Sequence, residues 1–252
     1  MYDWPEVRAG NDAFWAATRD ALAADGVSAP EHLSRPDDLS VPWHNDGLLL
    51  GQTCGLPYVE GRVGTSILVA RPSYDAEGCS SGTYRSALVA RRDDPRETPE
   101  YLGGRAAVNE VGSQSGCNAL IDAMLDAGAP MGQPLFGECV MSGAHRCSAD
   151  LVAAGAADIA AIDAVAWALY ALAEPERHAR LRVVAWTRPM PALPFITSAA
   201  NAGIISALIK ALDLGARTVQ SPAVPIEILP AEEVDYDPIR AMAERVRGTS
   251  LA

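Results

Sequence analysis

Apolar positions along this chain follow two periods. Residues 5–25 place Val7, Phe14, Trp15, Thr18 and Leu22 near one face of a helix, with Pro5 at its start and Gly26 at its end. Further helical spacing recurs over residues 117–127, 148–154, 165–172, 204–214 and 236–247. Short apolar or β-branched runs read as buried strands at residues 48–50, 65–70, 84–91, 106–108, 136–141, 159–162, 181–186 and 195–198. Residues 30–42 read as a polar loop or short helix. Strands alternate with helices from end to end, which predicts an α/β protein built on parallel sheets.

Two proline-marked connectors, residues 91–99 and 187–194, bracket a middle block of the chain. A chain that leaves one α/β lobe, builds a second and returns is the simplest organisation. It predicts a discontinuous lobe one of residues 1–90 and 190–252, and a lobe two of residues 91–189. Two crossings between lobes imply a hinge with a cleft.

The richest stretch is 106–128. A strand ends at Val108, Glu110 to Gly112 form a loop, and a helix follows with Leu120, Ile121, Met124 and Leu125 on one face and Gly128 as its stop. Ser113, Gln114 and Ser115 therefore fall where a helix leaves backbone N–H groups unpaired, at the positive end of its dipole. Hydroxyls and an amide there, beside Gly116, suit an oxyanion. A plain helix cap is the commoner use of such a serine. Other polar residues recur at the ends of strands: Gln52 and Thr53, His145, and Asp163. In open α/β sheets that edge holds ligands. Each also has a structural use, Asp163 above all as the cap of an apolar helix.

Composition narrows the classes. The 252 residues are 49% hydrophobic and 21% charged, an ordinary globular balance. A formal net charge of −12 with no Lys/Arg stripe argues against nucleic acid or an anionic membrane as partner. The five cysteines show no C-x-x-C pair and no matching histidine spacing, so neither a metal centre nor another cofactor is expected. Scattered and odd in number, they fit a reducing compartment. No apolar run reaches membrane-spanning length, and the first residues lack a basic, apolar leader. The expectation is a cytoplasmic protein as the sequence stands, or a periplasmic one if a leader was removed. Cys54 and Cys117, near predicted helix starts, are candidates for a lowered pKa. There is no G-x-S-x-G elbow, phosphate loop or H-E-x-x-H helix.

An ordered set of short motifs carries a resemblance. Met1-Tyr2-Asp3, Gln52-Thr53-Cys54-Gly55, Gly82-Thr83-Tyr84-Arg85-Ser86, Ser113-Gln114-Ser115-Gly116, Gly143-Ala144-His145-Arg146 and Ala160-Ala161-Ile162-Asp163 occur in the order of the phosphate/phosphonate ABC-transporter substrate-binding proteins. The resemblance spans nearly the whole chain. It implies a type 2 periplasmic-binding-protein fold, with a mixed, mostly parallel sheet in each lobe and a hinge that closes the cleft on a ligand. It further implies that Ser113, Gln114 and Ser115 hold the oxyanion, with Tyr84 on the hinge side and His145 as an added donor. Asp163 would read the rest of the ligand, and Tyr2, Gln52 and Thr53 would line the opposite lobe.

The expected function is capture of a small anionic, phosphate- or phosphonate-like solute without chemistry, with an ABC permease as candidate partner. The alternative is a cytosolic enzyme on the same fold, acting on a small phosphorylated or carboxylated metabolite, with His145 and Asp163 as acid and base. A cytosolic ligand sensor would share the same site residues.

Overall fold

The computed structural model describes residues 2–38 and 40–252. Met1, part of one motif above, and Leu39, within the expected 30–42 loop, lie outside the described residues. In chain order the strands are β1 (Gly51–Gln52), β2 (Ser66–Ser73), β3 (Cys79–Ser80), β4 (Thr83–Tyr84), β5 (Ser86–Arg91), β6 (Arg105–Val108), β7 (Glu138–Met141), β8 (Ile159–Asp163), β9 (Leu181–Trp186), β10 (Met190–Pro191), β11 (Phe195–Ser198) and β12 (Glu227–Pro230).

The chain divides into two compact units. Unit one comprises Met1–Asp75, Cys79–Thr83 and Pro191–Asp237, and unit two Ala76–Gly78, Tyr84–Met190 and Pro238–Ala252. The first boundary differs from the expected one near residue 90, because β5 hydrogen-bonds to β8 and β9 and so belongs with them. The last residues also leave the expected lobe. Leu135 N donates to Ser250 O and Phe136 N to Leu251 O, which fixes the chain end onto unit two. Short strands β10, β4 and β3 form a small sheet at positions where the chain changes unit.

Unit one holds the sheet β1-β11-β2-β12, in which each pair is antiparallel. The expectation of mostly parallel strands fails here. Its core joins Leu22, Val69, Ala70, Phe195, Leu208, Ala211, Leu212, Ala216 and Ile228. Helix Arg8–Ala24 buries Trp15, Thr18 and Leu22 along one face, the stripe that its periodicity predicts. It packs on helix Ile205–Thr218, and a Cβ at Gly215 would lie 2.5 Å from Thr18 Oγ1, so only glycine permits this approach. With the preceding 3-10 turn this second helix forms Ala199–Thr218, long and apolar enough by composition to cross a membrane, contrary to the sequence reading. Its apolar stripe is occupied within unit one, where Leu208, Ala211 and Leu212 are buried.

Unit two holds the sheet β7-β6-β8-β5-β9. Strand β6 runs parallel to β7 and β8, whereas β5 is antiparallel to β8 and β9. The parallel part is the run of strands joined by crossover helices, Ala119–Asp126 between β6 and β7 and His145–Ala153 between β7 and β8. The antiparallel part follows from β5 entering the unit and β9 leaving it. Strands β8 and β5 are almost wholly buried, matching their continuous apolar runs.

Candidate ligand-binding site

Three of the unit-two candidates, Ser113, Ser115 and His145, meet beyond the carboxyl end of β6. Ser113 is the N-cap of the helical turn Gln114–Asn118, with extended backbone (φ −89, ψ 127), and its Oγ accepts from Gly116 N at 3.0 Å. The turn has π character: Ser113 O accepts from Cys117 N at 3.2 Å and Asn118 N at 3.1 Å before the helix Ala119–Asp126 takes over. Such wide turns cluster at functional positions. Of the two uses foreseen for Ser113, the cap is the one the structure shows. It caps the helix, and the cap orients the turn.

Ser115 is 5% exposed, and its Oγ lies 2.8 Å from His145 Nε2. His145 is the first residue of helix His145–Ala153, which follows the turn after β7. The residue keeps some exposure, but its Nδ1 is shut off from solvent and has no hydrogen-bond partner. Burial pushes the imidazole down to about 4, opposed only in part by the nearby Ala161 backbone, so it is neutral at pH 7. Asn109, directly after β6, also buries an unpartnered atom, its Oδ1. A Cβ on Gly116 would lie 1.8 Å from that oxygen and 3.3 Å from His145 Cε1, so Asn109, Gly116 and His145 form one cluster. Sequence reasoning passed over Asn109, although it stands between the strand and the serine loop.

Gln114 behaves differently from its neighbours. Its carboxamide is fully buried, with Nε2 on the Met242 sulfur at 2.8 Å and Oε1 accepting from Asn118 at 3.4 Å. The side chain expected at the oxyanion is thus turned inward, and only its backbone remains at the loop. Asp163, 2% exposed, caps helix Ala164–Ala173 by accepting from Val165 N at 2.8 Å and Ala166 N at 3.2 Å. The structural use foreseen for it is the one observed. Tyr84 is 3% exposed in β4.

The unit-one candidates form a second group. Tyr2 packs edge-on against Tyr74, with ring centroids 5.3 Å apart. Gln52 Nε2 donates to Tyr74 Oη at 3.1 Å and to Leu193 O at 3.2 Å. These three residues line a cavity of about 610 Å³ together with Trp4, Trp15 and Trp43. Thr53 stands apart from it, fully buried, with its Oγ1 turned to Cys54 O at 3.3 Å.

The chemistry open to the unit-two cluster is limited. A serine against a histidine is the start of a nucleophile–base pair. Here no carboxylate orients the imidazole: its Nδ1 has no side-chain partner, and apart from Ser115 only the Ala161 backbone acts on the ring. Nor does His145 pair with Asp163, whose carboxylate engages the helix it caps. Cys117 is not activated, contrary to expectation: burial pushes its thiol up to about 11. Among the described residues no group of three or more His, Cys, Asp or Glu could hold a metal. What the cluster does offer is neutral donors beside a helix start, a setting for an anion.

Comparison with known proteins agrees in fold. A family model described as "ABC transporter, phosphonate, periplasmic substrate-binding protein" matches residues 45–214 of the 252. A comparison with curated proteins returned no match. Among solved structures, PhnD1 from Prochlorococcus marinus (MIT 9301), in complex with methylphosphonate, is similar with TM-score 0.74 and 16% identity over 96% of this chain and 94% of that one. A binding protein component of an ABC phosphonate transporter from Pseudomonas aeruginosa gives TM-score 0.72 and 14% identity over 93% and 81%. XAC2383 from Xanthomonas citri, bound to ATP, gives TM-score 0.69 and 16% identity over 95% of each chain. These likenesses establish a type 2 periplasmic-binding-protein fold.

Proposed function

The chain belongs to the family of periplasmic substrate-binding proteins of phosphonate ABC transporters, and we propose that it captures a small tetrahedral oxyanion, phosphonate or phosphate, without transforming it. The observation that carries this reading is the Ser115–His145 pair at the Ser113-capped helix start. The ring nitrogen that carries the His145 proton decides whether Ser115 Oγ accepts from Nε2 or donates to it. With the proton on Nε2, the ring donates to Ser115 Oγ and leaves the serine hydroxyl hydrogen for the anion. Backbone N–H groups of the loop and the helix dipole add to the attraction.

The remaining candidates complete the reading. Tyr2, Gln52 and Thr53 of unit one and Tyr84 of unit two keep the assignment to the ligand's surroundings that the family resemblance gives them. Asp163 and Gln114 act by holding their helices, with the Gln114 backbone facing the anion. An ABC permease is the partner this reading implies, and the periplasm is the compartment in which the family works. The printed ligand of the similar Prochlorococcus marinus protein, methylphosphonate, is the natural first probe.

Titration calorimetry with methylphosphonate, inorganic phosphate and methanesulfonate tests it. We expect saturable binding of at least one, weakened ~10-fold or more by Ser113→Ala with Ser115→Ala, since each lost hydrogen bond to a charged group contributes about 1.5–3 kcal/mol. Unchanged affinity in that double variant would remove the site from the reading.

A further inference from the structure

The carboxamide of Asn109 is the polar group of this cluster with no role so far. Its Oδ1 is buried and unpartnered, and buried acceptors of that kind are rare enough to need a reason. The oxygen rests where a Cβ on Gly116 would come within 1.8 Å, so it seats against a bare Cα that only glycine provides. This contact fixes which way the amide faces. An oxygen tolerates a Cα–H neighbour as a weak donor, whereas the two N–H hydrogens would collide with it. Oδ1 therefore points inward and Nδ2 outward. Nδ2 is not among the buried unpartnered atoms, and the Asn109 side chain makes no hydrogen bond among the described residues. It is a donor pair left open on a carboxamide that abuts Gly116 of the serine loop, itself next to His145.

We infer that Asn109 is a ligand-contacting residue, whose Nδ2 donates to the oxyanion from the β6 side while Ser115 and His145 approach it from the two helix starts. The inference rests on the oxyanion reading above and deepens it. It makes Gly116 the seat of a binding side chain, beyond its service to the turn. It also makes the contact set of unit two a group of neutral donors, drawn from β6 and from the starts of both following helices. A donor of this kind adds direction to the site without adding charge. It suits a tetrahedral oxyanion, whose oxygens are spread in three dimensions and need donors from more than one side.

The test is calorimetric titration of methylphosphonate into the whole chain and its variants. Asn109→Ala is expected to weaken binding ~10-fold, the loss of one hydrogen bond to an anion. Asn109→Asp, the same shape with a negative acceptor in place of the donor, is expected to weaken it ~100-fold or more, because it sets a like charge against the ligand. Gly116→Ala leaves Asn109 in the chain but removes its seat. It should weaken binding comparably, and the double variant Asn109→Ala with Gly116→Ala should be no weaker than the worse of the two singles. Asn109→Asp and Gly116→Ala keep the inference testable if Asn109→Ala folds poorly. The inference fails, with the oxyanion reading intact, if Asn109→Ala and Asn109→Asp bind within twofold of the parent while Ser115→Ala loses affinity. A parent chain that binds no oxyanion overturns both.

Discussion

At the level of single residues, the unit-two cluster is held by groups whose partners are known, and this makes its energetics testable. His145 is depressed to about 4 against an ordinary histidine value of about 6.5. The unfolded chain therefore binds a proton between those values that the folded one refuses. Stability is fully present above pH 6.5 and is lost as the pH falls toward 4, by at most ~3–4 kcal/mol at about 1.4 kcal/mol per unit. Urea unfolding at pH 7 and pH 4.5 should show this loss in the parent and a smaller one in His145→Gln; equal losses would contradict it. Asp163 is predicted by the same logic to matter for folding, since its carboxylate accepts two backbone N–H bonds at a helix start. Asp163→Ala should lower the unfolding free energy by ~1–2 kcal/mol, the usual range for a lost cap. An unchanged value would mean that the cap is idle. The serines, the histidine and the aspartate were all visible in the sequence, because strand ends followed by small polar residues mark the edge of an α/β sheet. Asn109 was not, because its significance lies in a contact with Gly116 seven residues later. The inward turn of Gln114 was equally hidden, since its partner Met242 lies on the last helix.

At the level of elements, periodicity found helices and long strands and lost the short ones. Strands β9 and β11 coincide with the expected runs. Strand β12, four residues with a proline at its end, offered too little alternation to be seen. The three leucines 48–50 were expected as a strand, yet the ladder forms at the next two residues. Leu48 O and Leu49 O instead accept from the Thr197 hydroxyl. Parallel pairing was overestimated because alternation of strand and helix says nothing of the sense in which strands enter and leave a unit. The last helix, Asp237–Val246, is anchored by charge. Asp122, 2% exposed as a side chain on helix Ala119–Asp126, pairs with Arg245 of that helix and with Arg188 of the second connector, the latter at 2.6 Å. Asp126 reinforces both, at 2.6 Å to Arg188 and 2.7 Å to Arg245. Removing one member of a buried pair strands the others, although the partly exposed arginines here can rehydrate. Asp122→Ala is therefore expected to destabilise by ~2–3 kcal/mol in urea unfolding, and Arg247→Ala, on an exposed pair, by less than ~0.5 kcal/mol. Similar losses for the two would contradict the anchoring.

At the level of the whole molecule, the division into two units and the family both follow from patterns spread along the chain. The discontinuous arrangement was visible as two proline-rich connectors. The assignment of β5 and of the C-terminal residues was not, because it depends on hydrogen bonds to segments distant in sequence. An acidic chain that binds an anion is no paradox. The donors at the candidate site are local and neutral, whereas the net charge of −12 is spread over 252 residues and screened by salt. The central claim, that the neutral donors of unit two hold a tetrahedral oxyanion, is tested most directly by the thermal midpoint of the purified chain with methylphosphonate, phosphate, methanesulfonate and a chloride control. A bound oxyanion at ~100 times its dissociation constant should add about 2.7 kcal/mol to stability and raise the midpoint. The same addition should leave the Ser113→Ala, Ser115→Ala double variant nearly unmoved. A parent midpoint indifferent to every oxyanion, or a double variant shifted as far as the parent, would contradict the account.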